Sequence, residues 1–206
     1  MIPPIAPYRI TNDMLPTNTT TWVPDRDKAA LLVHDMQDYF VGAFERAPGS
    51  AIDLAVSNTA QLLKRARAEN QPVFYTAQPP AQSPEDRALL TDFWGTGLAD
   101  ADQAAILAEL APQPGEVVLT KWRYCAFYRT DLEERLRCLG KTQLWITGVY
   151  SHIGCQTTAL NAFMKGFQVF FVADAQADFS ADYHRSALAY VASRCGQVAT
   201  TVELVR

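Results

Sequence analysis

The sequence predicts a three-layer, doubly wound α/β domain built on a six-stranded parallel sheet. Short apolar runs alternate with longer segments of helical periodicity along the 206-residue chain. This alternation is typical of parallel strands joined by crossover helices. The apolar runs are continuous, as expected where helices cover both faces of each strand. Hydrophobic residues make up 49% of the chain, and no linker or internal repeat is visible, so we predict a single domain spanning 1–206.

Six apolar runs predict the strands of this Rossmann-like sheet. They lie at Ala29–His34, Val73–Thr76, Val117–Thr120, Leu144–Thr147, Val169–Val172 and, with a weaker pattern, Val198–Val202. The segments between them predict helices at Ala51–Ala68, Asp102–Leu110, Cys155–Lys165 and Ala181–Arg194. A further short helix is expected to begin after Ser83, because proline at the first helical position loses no needed hydrogen bond. Thr130 and Glu133 match a capping box for another helix, which ends near Gly140.

Composition narrows the range of partners and locations. A net charge of -4 and a pI near 5.3 provide no basic surface for phosphate backbones, so nucleic acid is not an expected partner. The N-terminal residues contain neither a signal peptide pattern nor a membrane-spanning segment, which predicts a cytoplasmic protein without a membrane partner. The four cysteines are widely spaced without a C-x-x-C motif, so we expect free thiols rather than a disulfide framework or a zinc site.

Polar residues follow four of the predicted strands. Asp35 follows the first strand, Gln78 the second and Lys121 the third, while the fourth ends in a turn bracketed by Gly148 and Gly154. In a doubly wound sheet, ligands bind beyond the carboxyl ends of the strands. Taken alone, Asp35 could equally be a helix cap or surface group, and Lys121 a solvated charge. Their occurrence at neighbouring strand ends favours a ligand crevice with an acid and a cation.

Five segments together resemble the isochorismatase family. They are HDMQDYF at 34–40, YTAQP at 75–79, LTKWRYCAF at 119–127, ITGVYSHIGCQTTA at 146–159 and VADAQADFS at 172–180. The resemblance extends from about residue 2 to residue 204. It is closest to the isochorismatases of catechol-siderophore pathways and to the amino-deoxyisochorismate hydrolases of phenazine pathways. The family fold that it implies, a parallel six-stranded sheet flanked by helices, agrees with the strand pattern.

The resemblance also implies roles for individual residues. The matching catalytic positions are Asp35, as general acid, Lys121 and Gly154. In the related nicotinamidases and N-carbamoylsarcosine amidohydrolases, a nucleophilic cysteine occupies the position of Gly154. The family pattern implies a cis peptide between Val149 and Tyr150. The residues that it places around the substrate are Phe40, Gln78, Arg87, Trp94 and Tyr150.

The implied reaction is hydrolysis of the enolpyruvyl vinyl ether of isochorismate, or of its 2-amino-2-deoxy analogue, with release of pyruvate. Amide hydrolysis needs a nucleophile, whereas a vinyl ether is activated when its terminal carbon is protonated. Gly154 is therefore expected to leave room for the enolpyruvyl group. We expect Lys121, Arg87 and Gln78 to bind the substrate carboxylates, and the loop from Pro79 to Pro84 to act as a lid. The alternative for Arg87 is a solvated helix charge.

No cofactor or metal ion is expected, because His34, His152 and His184 are too dispersed for a ligand triad. Cys155 adjoins the nucleophile position, but one residue along a helix is a rotation of about 100°, so its side chain should point elsewhere. Asp174 and Asp178 lie past the fifth predicted strand and are expected to cap the helix that follows it. The resemblance implies a homodimer, and two other functions stay open: a cysteine amidohydrolase and a non-catalytic interaction module.

Overall fold

The computed structural model describes residues 2–206, which are organised around one six-stranded parallel sheet. The strands are β1 Ala29–His34, β2 Val73–Ala77, β3 Val117–Thr120, β4 Gln143–Val149, β5 Gln168–Ala177 and β6 Gln197–Ala199. Their spatial order is β3-β2-β1-β4-β5-β6, so the direction of winding reverses between β1 and β4. The predicted three-layer α/β fold is confirmed.

The helices connect these strands on both faces of the sheet. They are α1 Asp38–Val41, α2 Ala51–Ala68, α3 Pro84–Arg87, α4 Leu90–Trp94, α5 Ala101–Ala104, α6 Leu132–Cys138, α7 Gln156–Met164, α8 Ala181–Arg194 and α9 Thr201–Leu204. Short 3-10 turns lie at Asn12–Met14, Arg26–Lys28 and Ala108–Leu110, and a π-helical turn at Ser151–Cys155 leads into α7. No helix within residues 2–206 is both long and apolar enough to cross a membrane.

The predicted helix from 102 to 110 is wrong as a continuous element. The chain forms α5 and a separate 3-10 turn instead, and between them Ile106 makes an antiparallel bridge with Gln37. The extended residues of this bridge cannot belong to a helix. The segment is therefore held against the chain that follows β1, beside the strand ends.

Two predicted boundary features also differ from the structure. The last strand stops at Ala199, where a capping box between Thr200 and Glu203 begins α9. The capping box expected at Thr130 and Glu133 does not form, because the Thr130 hydroxyl accepts from the Leu132 N–H at 3.4 Å and donates to the Ala126 carbonyl at 2.6 Å, while Glu133 accepts from Arg137 and Lys165. Helix formation thus follows the local hydrogen bonds of each hydroxyl rather than the spacing pattern alone.

Alternation along β1 separates two apolar layers. Leu31 and Val33 pack in one cluster with α2, whereas Leu32 packs in the other with residues of α7 and α8. His34 ends β1 on the same face as Leu32, since side chains of a strand alternate between faces. It pairs with Thr76 of β2 and Gly148 of β4 in the register of the sheet. The ends of these three strands therefore lie at one level.

Candidate active site

A crevice opens beyond the carboxyl ends of β1 to β4. It is lined by Ile2, Asp35, Tyr39, Phe40, Gln78, Arg87, Leu90, Trp94, Lys121, Tyr124, Val149, Tyr150, Ile153, Gly154 and Phe179. All eight residues singled out in the sequence are among them. The position of the crevice is the one expected for a doubly wound sheet, where the winding direction reverses.

Asp35 lies at the base of the crevice, with a left-handed backbone conformation directly after β1 (φ 49°). Its Oδ1 accepts a hydrogen bond from the Thr76 hydroxyl at 2.5 Å, and its backbone N–H donates to the same hydroxyl oxygen at 3.1 Å. Its Oδ2 accepts from Lys121 Nζ at 2.6 Å. Asp35 is only 5% exposed, so it is not a surface group, and the N-cap residue of the following helix α1 is Gln37. Burial with a cation and a hydroxyl is typical of a carboxyl group with a chemical role.

Lys121 is one of the most deeply buried side chains of the protein, with 1% of its surface exposed. The residue follows β3 directly, and its backbone N–H donates to the carbonyl of Ala77 at 2.9 Å. This bond continues the pairing of β3 with β2 and fixes where the side chain starts. Lys121 is therefore a buried residue of the crevice lining and not a solvated charge.

Arg87 provides a second buried cation, on α3, with 4% of its surface exposed. Its Nε donates to the Gly95 carbonyl at 2.6 Å, and its Nη1 lies 3.4 Å from Gln78 Oε1. Burial lowers the pKa of the guanidinium. Within residues 2–206 no carboxylate forms an ion pair with Arg87, and the alternative of a solvated helix charge is wrong. A buried cation with only neutral partners favours an anionic ligand.

Aromatic side chains form the walls of the crevice. Trp94 Nε1 donates to the Tyr124 hydroxyl at 2.8 Å, and the Tyr150 hydroxyl donates to the Phe40 carbonyl at 2.8 Å. The rings of Tyr150 and Phe179 are 4.5 Å apart. Burial raises the pKa of Tyr150, so this phenol stays protonated. The walls are apolar surfaces with a few fixed hydroxyl groups, as in most small-molecule sites.

The turn after β4 contains the cis peptide between Val149 and Tyr150 that the resemblance implies. Gly154 follows it in the π-helical turn. A Cβ atom on Gly154 would lie 2.2 Å from Cε1 of His34 and 2.9 Å from its Nε2. The expectation that the missing side chain leaves room for substrate thus needs correction, because the imidazole of His34 occupies that space. Gly154 presents its backbone to the crevice.

His34 is fully buried behind the site. Its Nδ1 lies 3.0 Å from the Val149 carbonyl and 3.7 Å from Asp35 Oδ2. Burial, reinforced by the charge of Lys121 and opposed by that of Asp35, lowers the pKa of His34 to about 4. The ring is therefore neutral at pH 7. Because a carbonyl only accepts hydrogen bonds, its proton is assigned to Nδ1.

Cys155 does not line the crevice. Its side chain is fully buried in the apolar layer formed with α7 and α8, which agrees with the expectation that it points elsewhere. Burial raises the pKa of its thiol well above the ordinary value. A buried, protonated thiol away from the crevice lacks the features of a nucleophile.

Asp174 lies within β5 and Asp178 follows it, and neither caps α8 as predicted. Asp174 Oδ1 accepts from the backbone N–H and the hydroxyl of Thr201, at the first turn of α9. Asp178 is fully buried and accepts from the backbone N–H of His152 at 2.7 Å and from its Nδ1 at 2.5 Å. Asp178 thus fixes the turn after β4 rather than capping α8, where the Ser180 hydroxyl accepts from the backbone N–H of Tyr183.

The sequence analysis did not single out several residues of the site, among them Thr76, Tyr124 and Phe179. Thr76, which bonds to both the backbone and the carboxylate of Asp35, belongs to the quoted segment YTAQP and ends β2 opposite His34. Its position on the neighbouring strand was the available signal. Tyr124 and Phe179 also lie within quoted segments, but nothing in their spacing distinguishes a wall of a crevice from a core aromatic residue.

In the part of the chain that the structure describes, no group of three or more His, Cys, Asp or Glu side chains is arranged to hold a metal ion. The buried carboxylate of Asp35 accepts hydrogen bonds from Lys121 and Thr76. The positive charge beside this carboxylate is therefore that of a lysine side chain. Independence from metal ions stays a prediction.

Comparison with known proteins gives one consistent family. The model of the isochorismatase domain matches residues 29–203. The chain is 49% identical to an isochorismatase of Bacillus subtilis, over 99% of this chain and 66% of that protein. It is 47% identical to enterobactin synthase component B of Escherichia coli, over 99% of this chain and 72% of that protein. It is 45% identical to the phenazine biosynthesis protein PhzD of Pseudomonas fluorescens, over 99% of this chain and 98% of that protein.

Solved structures give the same result for the fold. An isochorismatase family protein from Burkholderia thailandensis superposes with a TM-score of 0.79 at 30% identity, covering 89% of this chain and 96% of that one. A cysteine hydrolase from Pseudomonas syringae superposes with a TM-score of 0.77 at 26% identity, covering 93% of this chain and 96% of that one. The family model, the close relatives and the superposed folds agree with one another. The chain belongs to the isochorismatase family and is a hydrolase of that type.

Proposed function

We propose that the protein hydrolyses the vinyl ether of isochorismate to pyruvate and 2,3-dihydro-2,3-dihydroxybenzoate. The observation that carries this proposal is the buried pair of Asp35 and Lys121, 2.6 Å apart, at the base of a crevice where residue 154 has no side chain. Such a site offers a proton donor without a nucleophile. Hydrolysis of a vinyl ether requires a proton donor and does not require a nucleophilic side chain.

Charge supports an anionic substrate. Arg87 and Lys121 are both buried cations that line the crevice, and Arg87 has only neutral partners among residues 2–206. Isochorismate carries two carboxylates, one on the ring and one on the enolpyruvyl group. We assign Lys121 to a carboxylate near Asp35, and Arg87 with Gln78 to the other. Each contact is a charge-assisted or neutral hydrogen bond in a site with little water.

The proton balance of the reaction follows from this arrangement. In the proposed reaction Asp35 is the general acid, and a lysine that turns to the substrate frees its Oδ2 to carry the proton. Asp35 then transfers that proton to the terminal vinyl carbon, which leaves an oxocarbenium ion and a carboxylate. Water adds to the cation and returns a proton to Asp35. The resulting hemiketal breaks its bond to the ring oxygen, which takes up the hydroxyl proton as pyruvate forms.

The aromatic walls fit the same chemistry. Phe40, Trp94 and Tyr150 surround the acid with apolar surface, while their polar atoms are held by bonds within the protein. Exclusion of bulk water keeps the proton on the acid until carbon accepts it. The same exclusion of bulk water leaves in the site only the water molecule that adds to the oxocarbenium ion.

The nearest alternative is the same reaction on 2-amino-2-deoxyisochorismate, giving 2,3-dihydro-3-hydroxyanthranilate. A specific observation supports it, because a relative named for phenazine biosynthesis is 45% identical over 99% of this chain. The two substrates differ only in one ring substituent. Purified protein should be incubated with each while pyruvate is followed, and the larger kcat/KM identifies the substrate. Absence of pyruvate from both would refute the proposed function.

Two other functions are less well supported. A cysteine amidohydrolase needs an accessible thiolate, whereas Cys155 is buried with a raised pKa and Gly154 has no thiol. Nicotinamide and N-carbamoyl substrates, assayed beside isochorismate, test this alternative. A non-catalytic interaction module would release no pyruvate from either substrate.

We also infer that the protein forms a homodimer, the state implied by the family resemblance. Light scattering would then give about twice the chain mass of 22.8 kDa. A monomer mass at assay concentration would contradict this inference without affecting the assignment of the reaction.

A further inference from the structure

Gly148 near the end of β4 and Gly154 in the turn that follows face the same residue. A Cβ atom on Gly148 would lie 2.1 Å from the His34 carbonyl oxygen, and its φ of +108° disfavours any side chain. A Cβ atom on Gly154 would lie 2.2 Å from Cε1 of the His34 ring. One glycine therefore accommodates the backbone of His34 and the other its imidazole. The two glycines form a socket for one histidine.

Hydrogen bonds fix the ring within this socket. Nδ1 of His34 lies 3.0 Å from the Val149 carbonyl, and Nε2 lies 3.4 Å from the Thr158 hydroxyl of α7. The Thr158 oxygen also accepts from the backbone N–H of Ala126 at 3.0 Å. The imidazole thus connects β1 with the end of β4 and with α7 beneath the crevice. The ring itself is not placed to contact substrate, since His34 does not line the crevice.

The socket bears directly on the acid. Asp35 is the next residue, and its backbone turns into the left-handed region, so the position of His34 sets the origin and direction of the carboxyl group. Nδ1 of His34 is 3.7 Å from Asp35 Oδ2. A neutral ring at this distance limits the movement of the carboxyl group without adding a second cation beside Lys121.

We propose that His34 is the positioning residue of Asp35 and that its imidazole occupies the place of a side chain at residue 154. The assignment of positioning to His34 rests on the proposed function, whereas the packing of His34 against Gly154 does not. Residues 34 and 154 are then a matched pair. A histidine in this orientation requires glycine at 154, and a side chain at 154 requires a smaller residue or a displaced ring at 34.

A double-mutant cycle tests the packing. Gly154→Ala places a methyl group against the ring, so we expect a lower Tm and at least about a tenfold loss of kcat for pyruvate release. His34→Ala removes the ring, and the added methyl group then fits the vacated space. The double variant His34→Ala/Gly154→Ala should therefore have a higher Tm than the sum of the two single losses predicts.

The matched control uses a glycine with open surroundings. A Cβ atom on Gly140 meets nothing within 4 Å, so His34→Ala and Gly140→Ala should lower Tm additively. Additive losses for His34→Ala and Gly154→Ala as well would overturn the matched pair. This readout needs no substrate, so it remains decisive even if the parent releases no pyruvate.

Kinetics test the positioning role. His34→Ala should lower kcat at least about thirtyfold while KM changes less than about threefold, because the cations that bind substrate are untouched. His34→Asn can place an amide N–H near the position of Nδ1 and should regain part of the lost kcat. A raised KM with unchanged kcat, or no difference between the Asn and Ala variants at equal Tm, would refute positioning. If His34→Ala does not fold, the Asn variant and Gly154→Ala decide the question by the same kcat and KM comparison.

Discussion

Asp35→Asn separates the chemical role of the acid from its structural role. The amide keeps the shape of the side chain, and its oxygen can still accept from Lys121, while the Thr76 hydroxyl can turn to accept from the new NH₂ group. The variant cannot give a proton to carbon. Loss of a general acid lowers the rate by about 10²–10⁴-fold, so we expect pyruvate release to fall by at least this factor.

The same substitution has a predictable cost in stability. Lys121 is 1% exposed and loses its counter-charge, and breaking one side of a buried ion pair costs about 3–5 kcal/mol. For a chain of this length each kcal/mol lowers Tm by about 2–4 °C, which gives a decrease of about 10 °C. Activity must therefore be measured well below the Tm of the variant, with folding checked by circular dichroism.

Two further variants make the comparison decisive. Asp38→Asn applies the same change to an exposed carboxyl group at the start of α1 and should leave both kcat/KM and Tm unchanged. Asp35→Asn/Lys121→Met removes the unpaired ammonium and should recover most of the Tm without recovering activity. Turnover by Asp35→Asn within about tenfold of the parent, in folded protein, would show that Asp35 is not the acid.

Three other perturbations test separate parts of the site. Lys121→Ala should lower kcat/KM for pyruvate release at least about thirtyfold, because a buried charge contact of about 2 kcal/mol is lost, and unchanged kinetics would exclude its role in binding. Cys155→Ala should keep at least about a tenth of parental kcat/KM, since the thiol only fills space, and a thousandfold loss in folded protein would point to a cysteine mechanism. Stability should fall as the pH drops from about 6.5 towards 4, because burial lowers the pKa of both His34 and His184 to about 4 and the unfolded chain then binds more protons. Each histidine accounts for about 2 kcal/mol of this loss at pH 5, so denaturant titrations of the parent and of His184→Leu should differ in pH dependence by that amount.

The position of the crevice could be predicted from the sequence, because ligands of a doubly wound sheet bind beyond the carboxyl ends of its strands. Asp35, Gln78 and Lys121 follow three different apolar runs, and parallel strands bring their carboxyl ends to one edge. The pattern could not show that Lys121 and Arg87 are buried, because burial depends on which loops fold over the crevice. The resemblance to a family supplied the residues from more distant parts of the chain, such as Trp94.

Local errors arose where tertiary contacts override periodicity. The segment 102–110 has helical spacing, but the bridge between Ile106 and Gln37 extends its middle. The apolar run after Gln197 has strand character, but the capping box of Thr200 and Glu203 turns it into α9. In both places the competing interaction involves a backbone hydrogen bond or a cap that the apolar pattern does not encode.

The packing of His34 against Gly154 could not be predicted from the sequence. The sequence shows only that residue 154 has no side chain, and for a vinyl ether hydrolase this suggests an open space for substrate. The structure fills that space with the His34 ring, so the absence of a nucleophile at 154 and the presence of a histidine at 34 are one packing arrangement. In family members with a side chain at the position of Gly154, we therefore expect the position of His34 to hold a smaller residue or a ring turned away from it. Superposition of their structures on this one measures the distance between the two side chains, and an imidazole in the present orientation beside a Cβ at 154 would contradict the inference.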